Sequence, residues 1–302
     1  MKAVLLYEYG PAENLRYEDA PDPKYGENEV LVRVKATSVN PIDYKLRSGA
    51  AKARFPLQLP AILGRDLAGE VAAVGSSVNG FPKGMRVMAL TFGTYAEFLV
   101  VAADALTAIP DALSFERAAA LPLVTTTGFQ LIERAVKPTA GQRILITGAL
   151  GGVGRTAVHV ARQHGARVLA GVRAAERQEA AKLPVDEVIG IDDPAEIAKL
   201  HGLDAIADTV GGAVIERLLP AIRSGGVLSS VLGTPDAAAK YPIRVEAFMA
   251  QPDASRLRRL ADDVAAGKFD IPIARTMKLR EIQEAHRIAE RGGLNGKIVL
   301  VP

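Results

Sequence analysis

Cysteine is absent from all 302 residues, which removes disulfides, thiolate nucleophiles, iron–sulfur ligation and every zinc site that needs sulfur. Tryptophan is absent too, and aromatics make up 5% of the chain, so the core has to be built from Ala, Val, Leu and Ile. That composition suits buried parallel strands covered by helices. Neither sign of charge dominates: 37 basic against 34 acidic residues leave +3, and the basic residues are scattered, which argues against nucleic acid as a partner. Long apolar runs are missing as well. No stretch reaches the roughly 18 residues of a membrane helix. The run Ala3 to Tyr7, stopped by Glu8, is too short for the apolar region of a signal segment. These absences predict a soluble cytoplasmic protein with no membrane partner. What is present, 49% apolar and 24% charged residues, is the balance of a globular chain, and at about 100–200 residues per domain the length predicts two domains.

The first third reads as β-rich. Val30 to Val34, Gly69 to Val74, Arg86 to Ala89 and Tyr95 to Val100 are short β-branched runs separated by Gly, Pro, Asn and Asp punctuation, the texture of a sandwich or barrel-like lobe. From Ser114 the pattern turns helical through Ala118–Leu121 and again through Leu131, Ile132 and Ala135, with a domain boundary near residue 122. Beyond it strands and helices alternate: strand Arg143–Thr147, helix Val153–His164, strand Arg167–Val172, strand Glu187–Ile191, strand Ala205–Ala207 ending on Asp208, helix Ala213–Ile222 and strand Gly226–Leu232. This is βαβ texture. A helix around Ser255–Ala266, an amphipathic helix near Leu279–Glu290 and a strand Lys297–Val301 complete the chain.

Thr147-Gly148-Ala149-Leu150-Gly151-Gly152-Val153-Gly154 lies between the Arg143–Thr147 strand and the helix that follows. A pyrophosphate needs a turn without Cβ atoms, so that the backbone approaches closely and the helix N–H groups face the phosphates. Gly148, Gly151 and Gly154 stand three apart; Ala149 takes the first position of a strict G-x-G-x-x-G reading, yet the surrounding βαβ unit favours a nucleotide over an empty glycine turn. Ala149, Gly152 and Val153 belong to the same expected cradle. At the end of the second strand no carboxylate stands ready for a ribose 2′-OH; Arg173 and Arg177 stand there instead, suited to the 2′-phosphate of NADPH. The competing reading is two solvated arginines, with Arg177 paired to Glu176 or Glu179.

Several motifs then act together: Asn40-Pro41-Ile42-Asp43-Tyr44-Lys45-Leu46-Arg47-Ser48-Gly49, Gly64-Arg65-Asp66-Leu67-Ala68-Gly69-Glu70-Val71, Gly93-Thr94-Tyr95-Ala96-Glu97-Phe98, the glycine loop, Asp208-Thr209-Val210-Gly211-Gly212 and the closing Gly296-Lys297-Ile298-Val299-Leu300. With them the whole chain resembles the zinc-independent quinone oxidoreductase and enone reductase branch of the medium-chain dehydrogenase/reductase superfamily. The resemblance implies an α/β fold: a GroES-like β-rich lobe from residues 1–122 and 267–302, and a Rossmann doubly wound parallel sheet over 123–266. In zinc-dependent relatives a cysteine and the catalytic zinc sit where this chain has Asn40, and an acidic residue near the metal falls at Asp66. Without sulfur, and with His159, His164, His201 and His286 at no ligand-like spacing, no metal is expected, and Asp66 reads as a structural acceptor. Quinone reductases proper usually have tyrosine where this chain has Lys45, which shifts the expected acceptor from quinones toward α,β-unsaturated carbonyls.

The resemblance and the chemistry together nominate the site. Hydride delivery to an enone or quinone pushes negative charge onto the carbonyl oxygen, and Lys45, with Tyr44 second, is the candidate to stabilise it; a solvent-facing lysine is the ordinary alternative. In the family Asn40 lies beside the nicotinamide ribose and substrate, and Thr127 contacts the nicotinamide end. Val210 and Gly211 after one strand, and Leu232 and Gly233 after the next, stand where the cofactor passes the carboxyl ends of parallel strands. Asp43 and Arg47, four apart, read as a helical ion pair with a structural role. Arg256, Arg258 and Arg259 form a basic cluster without interleaved aromatics, hence a solvated face. The rival function is an NADPH-binding sensor or structural protein without turnover, and a homodimer is implied by the resemblance alone.

Overall fold

Val30, Val32, Val34 and Ala36 are buried and alternate with more exposed neighbours, the period of a strand that buries one face. In the computed structural model, which describes residues 1–302, they form the middle of an 11-residue strand. The chain divides into two units, Met1–Leu123 with Pro252–Pro302, and Val124–Gln251. The first part of unit one holds β1 (Lys2–Leu6), β2 (Leu15–Asp19), β3 (Glu29–Val39), α1 (Pro41–Ser48), β4 (Ala61–Ile62), β5 (Asp66–Val74), β6 (Arg86–Leu90), β7 (Phe98–Ala102), β8 (Thr107–Ala108) and α2 (Phe115–Ala119). Ser114 Oγ caps α2 by accepting from the Arg117 N–H at 3.2 Å. Helix α3 (Pro122–Gln130) carries the chain into unit two and continues as a π turn over Leu131–Val136.

Unit two contains β9 (Arg143–Thr147), α4 (Gly152–Gln163), β10 (Arg167–Val172), α5 (Arg177–Ala180), β11 (Glu187–Gly190), α6 (Pro194–Ile197), β12 (Leu203–Asp208), α7 (Gly212–Leu218), β13 (Ile222–Ser230) and β14 (Arg244–Ala247). The six strands are parallel in the order β11-β10-β9-β12-β13-β14. The direction of winding reverses between β9 and β12, and ligands of such sheets bind at that reversal, outside the carboxyl ends of the strands. Helix α7 is shorter than the expected Ala213–Ile222 because Pro220 turns the chain into a 3₁₀ segment before β13.

The chain returns to unit one with α8 (Ala254–Ala265), β15 (Ile273–Lys278), α9 (Ile282–Arg291) and β16 (Lys297–Val301). The main sheet of this unit runs β15-β16-β3-β5-β6-β8, with β7 also paired to β3, and a small sheet β2-β1-β4 stands beside it. Its return begins at Pro252, not at 267. Leu257, Leu260, Ala261 and Val264 form the buried face of α8, which packs on β6 and β8; periodicity identifies such a face without naming its partner. On the same helix Arg258 is tied to Asp262 at 3.0 Å. No helix is long and apolar enough to cross a membrane.

The buried face of α9 carries Ile282, Ala285 and Ile288, and with them His286 at zero exposure. Its ring stands edge-on to Tyr95, centroids 5.8 Å apart, and neither ring nitrogen has a hydrogen-bond partner. Burial, with the nearby positive Arg47 adding to it, pushes the imidazole down to about 3 from 6.5. A folded-state value below the unfolded one means that stability is complete above pH 6.5 and is lost as pH falls toward 3. His286→Phe removes both that loss and two unsatisfied nitrogens, so thermal unfolding followed across pH should show a stabilisation of about 1–3 kcal/mol at neutral pH and a shallower decline below pH 6.5.

Candidate active site

Asp66 opens β5 at zero exposure and accepts hydrogen bonds from widely separated chain segments. Its Oδ2 takes the Ser38 hydroxyl, the Asn40 Nδ2–H at 2.7 Å and the Lys297 ammonium at 3.4 Å, while Oδ1 takes the Leu123 N–H at 2.7 Å. Lys297, 8% exposed, also donates to the Val39 carbonyl at 3.2 Å and to Asn40 Oδ1. An isolated carboxylate here would cost several kcal/mol, and the ammonium and three uncharged donors offset that penalty. Sheet order brings these groups together, since β16, β3 and β5 are neighbours and the register pairs Ile298 with Val39.

Asn40 therefore lies inside the unit, with both ends of its amide engaged. Its backbone N–H donates to Asp43 Oδ2 at 2.8 Å, which together with Pro41 sets the entry angle of α1. The same oxygen accepts from the Tyr95 hydroxyl at 3.0 Å. Asp43 Oδ1 has no partner, and burial, reinforced by the charge of Asp66, pushes the Asp43 carboxyl up to about 6. The expected Asp43–Arg47 pair does not form: Arg47 turns the other way, donating to Glu290 at 2.9 Å and to the Gly10 carbonyl at 3.1 Å. Tyr44 and Lys45 occupy the less buried side of α1. Lys45 as a residue is half-buried, and it forms no ion pair. Burial and the charge of Glu290 raise the Tyr44 phenol.

The reading of Asp66 as a structural acceptor holds, whereas sequence patterning missed Lys297 as its partner and Tyr95 as the donor to Asp43. The available signal was a lysine opening an otherwise apolar five-residue strand, buried on both faces. Such a residue requires a buried acceptor. The donor set around Asp66 does not suit a zinc ion: one carboxylate, an amide, a hydroxyl and a competing ammonium, in a chain without sulfur and without any grouping of three His, Asp or Glu side chains that would hold a metal.

In unit two the glycine loop joins β9 to α4. Gly148 adopts φ +63°, and a Cβ on Gly154 would lie 2.2 Å from the Gly148 carbonyl oxygen, so only glycine lets the loop close on the helix. Gly151 at the N-cap provides no side-chain cap, and the first-turn N–H groups of Gly152, Val153 and Gly154 stand at the positive end of a 12-residue helix. Ala149 is buried behind the loop, its N–H donating to the Gly171 carbonyl at 3.3 Å. Helix α3 crosses this first turn so closely that a Cβ on Gly128 would lie 2.7 Å from the Val153 oxygen, which sets the half-buried Thr127 one residue from the contact.

Asp208 knits three strand ends together. It accepts from Thr147 Oγ1 at 2.8 Å, from the Val210 and Gly211 N–H groups at 3.0 Å each, and from Ser230 Oγ at 2.7 Å. The turns that follow β9, β12 and β13 consequently converge. A Cβ on Gly148 would lie 3.3 Å from Val210 Cγ2, and one on Gly211 would lie 2.7 Å from Leu232 Cδ1. Val210 and Leu232 expose apolar side chains there, 40% and 47%, and Gly233 follows at φ +103°. Arg173 and Arg177 do not stand free. Arg173 pairs with Glu176, and Arg177 pairs with Glu196 on α6, not with Glu176 or Glu179. Glu179 is occupied by Lys182 at 2.6 Å.

Replacing Lys297 tests the buried network. Lys297→Met keeps the stem but strips Asp66 of its only cationic partner, so urea unfolding should show a loss of about 3–5 kcal/mol, and the double variant with Asp66→Asn should recover part of it.

Two family models match the chain: an alcohol dehydrogenase GroES-like domain over residues 26–111 and a zinc-binding dehydrogenase over residues 183–300. The mitochondrial NAD(P)H oxidoreductase RTN4IP1 of Mus musculus is 33% identical over 99% of this chain and 89% of its own. The acryloyl-coenzyme A reductase of Sulfurisphaera tokodaii is 27% identical over the full length of both. The crystal structure of Escherichia coli quinone oxidoreductase complexed with NADPH superposes with a TM-score of 0.88 at 28% identity, covering both chains completely. With a GroES-like lobe, a parallel Rossmann sheet and these full-length relatives, the chain belongs to the quinone and enone oxidoreductase branch of the medium-chain dehydrogenase/reductase superfamily.

Proposed function

We propose that the protein is an NADPH-dependent reductase that delivers a hydride to an α,β-unsaturated carbonyl compound or a quinone without a metal ion. The observation that carries this reading is the uncapped first turn of α4 behind the glycine loop, a ready-made anion site at the reversal point of a parallel sheet. When bound, NADPH supplies the hydride. Gly148, Gly151 and the N–H groups of Gly152, Val153 and Gly154 hold its pyrophosphate, and the converging turns at Val210–Gly211 and Leu232–Gly233, with Thr127, flank the rest. Arg173, its side chain 61% exposed, exchanges Glu176 for the 2′-phosphate, and Arg177 is the second cation. Two named relatives support the reading: the Escherichia coli enzyme was crystallised with NADPH, and the Sulfurisphaera tokodaii protein is an acryloyl-coenzyme A reductase.

Lys45 meets the negative charge that develops on the acceptor oxygen, an effect of roughly 3–4 kcal/mol for one well-placed donor. It suits that role because no carboxylate neutralises it. Tyr44, a phenol that is protonated at neutral pH and that burial and Glu290 push still higher, is the second hydrogen-bond donor. Asn40 acts as a positioning residue, fixing the start of α1 through Asp66 and Lys297. The α-carbon takes its proton from solvent.

Loss of NADPH absorbance with a panel of enones, quinones and simple ketones tests this directly. Turnover should survive a chelator. Lys45→Ala should lower kcat about 10²–10³-fold with NADPH affinity unchanged. Arg173→Ala should raise the KM for NADPH about tenfold and leave that for NADH alone. Tight NADPH binding without turnover of any acceptor, or activity restored only by zinc, overturns the proposal.

A further inference from the structure

A groove of about 890 Å³ opens in unit one beside α1, between Leu46, the segment 54–62 and Phe92. Its volume lies within the ~300–1,000 Å³ of small-molecule sites. Phe55, Leu57, Ile62 and Phe92 make its wall mostly carbon, and Phe92 is 40% exposed. Two cations share that wall. Arg65 makes no ion pair and no side-chain hydrogen bond, and its Nε is sealed from solvent without an acceptor. Its guanidinium lies 5.8 Å from the Phe92 ring centre, and that of Arg54 lies 5.4 Å from the Phe55 ring centre. By contrast, the N-terminal ammonium of Met1, in the same wall, is already neutralised by Asp22 at 2.8 Å.

Arg65 is only half-buried, so the outer part of its guanidinium, not the sealed Nε, is the part a ligand in the groove can meet, and that charge has no carboxylate partner within the chain. A planar guanidinium in the wall of a mostly apolar groove matches a molecule that joins the same two characters, a planar anion on a hydrocarbon body. A neutral apolar ligand would leave the Arg65 charge facing carbon, and a fully polar one would leave the aromatic wall wet. We propose that this groove binds an amphipathic carboxylate, its anionic end held by Arg65 and its apolar body lying against Phe55, Leu57, Ile62 and Phe92. Arg54, on the rim, draws the anion in. The proposal is independent of hydride transfer, because it is read by binding alone.

Isothermal titration of the full-length protein with octanoate and with 1-octanol, two ligands that differ in the head group, is the decisive comparison. Octanoate should bind about tenfold tighter, the difference expected of one charge-assisted contact. Arg65→Gln should abolish that preference, Arg65→Lys should retain part of it, and Phe92→Ala should weaken both ligands alike. Equal affinity of the wild-type protein for the two ligands overturns the proposal, as does an unaltered octanoate preference in Arg65→Gln. Should Arg65→Gln fail to fold, the wild-type comparison and Phe92→Ala decide the matter by themselves: loss of both ligands in Phe92→Ala supports the groove, and unchanged binding overturns it.

Discussion

A carboxylate buried at zero exposure sets the terms for unit one. Asp66 must be met by donors, and the donors come from the end of β3, from the backbone at Leu123 and from the first residue of β16. A charge taken out of water is tolerated only while these contacts persist, so the C-terminal strand cannot leave the sheet without exposing or orphaning the group. The same arrangement fixes Asn40, hence the start of α1, hence the stations of Tyr44 and Lys45. The inner side of that helix is further pinned by Tyr95 on Asp43 and by Glu290 on Arg47.

Unit two solves a similar problem with the same device. Asp208 ends β12 inside the structure and draws in Thr147, Ser230 and two backbone N–H groups. Three carboxyl ends of parallel strands are thereby tied at the point where the winding reverses. The glycine loop can then be tight and uncapped, because the strand that feeds it is held from behind. The free N–H groups of α4 are a consequence of that geometry, and a helix N-terminus left in this state is suited to an anion.

The basic residues divide into those already matched and those that are not. Arg47, Arg173, Arg177 and Lys297 each face a carboxylate within the chain. Lys45 and Arg65 face none, and both belong to the region around α1. For Arg173, which is largely exposed, exchanging one carboxylate for a phosphate is inexpensive, since exposed ion pairs are worth little. For Arg65, half-buried beside the Phe92 ring, there is no carboxylate to give up, and its charge is left uncompensated.

Much of this was legible in the order of residues alone. Period-two burial in β3, the alternation of strand and helix from Arg143 onward and the glycine spacing before α4 all follow from local patterning, because backbone geometry and solvent contact impose them residue by residue. The absence of cysteine likewise excluded sulfur ligation outright. Folding in three dimensions decided the pairings. Arg177 chose Glu196 over its helical neighbours, Arg47 chose Glu290 over Asp43, α8 joined unit one, and Lys297 crossed 231 positions to reach Asp66. Spacing along a chain constrains which side chains share a face, but a buried charge is satisfied by whatever the sheet order sets beside it, and that order belongs to the assembled tertiary structure.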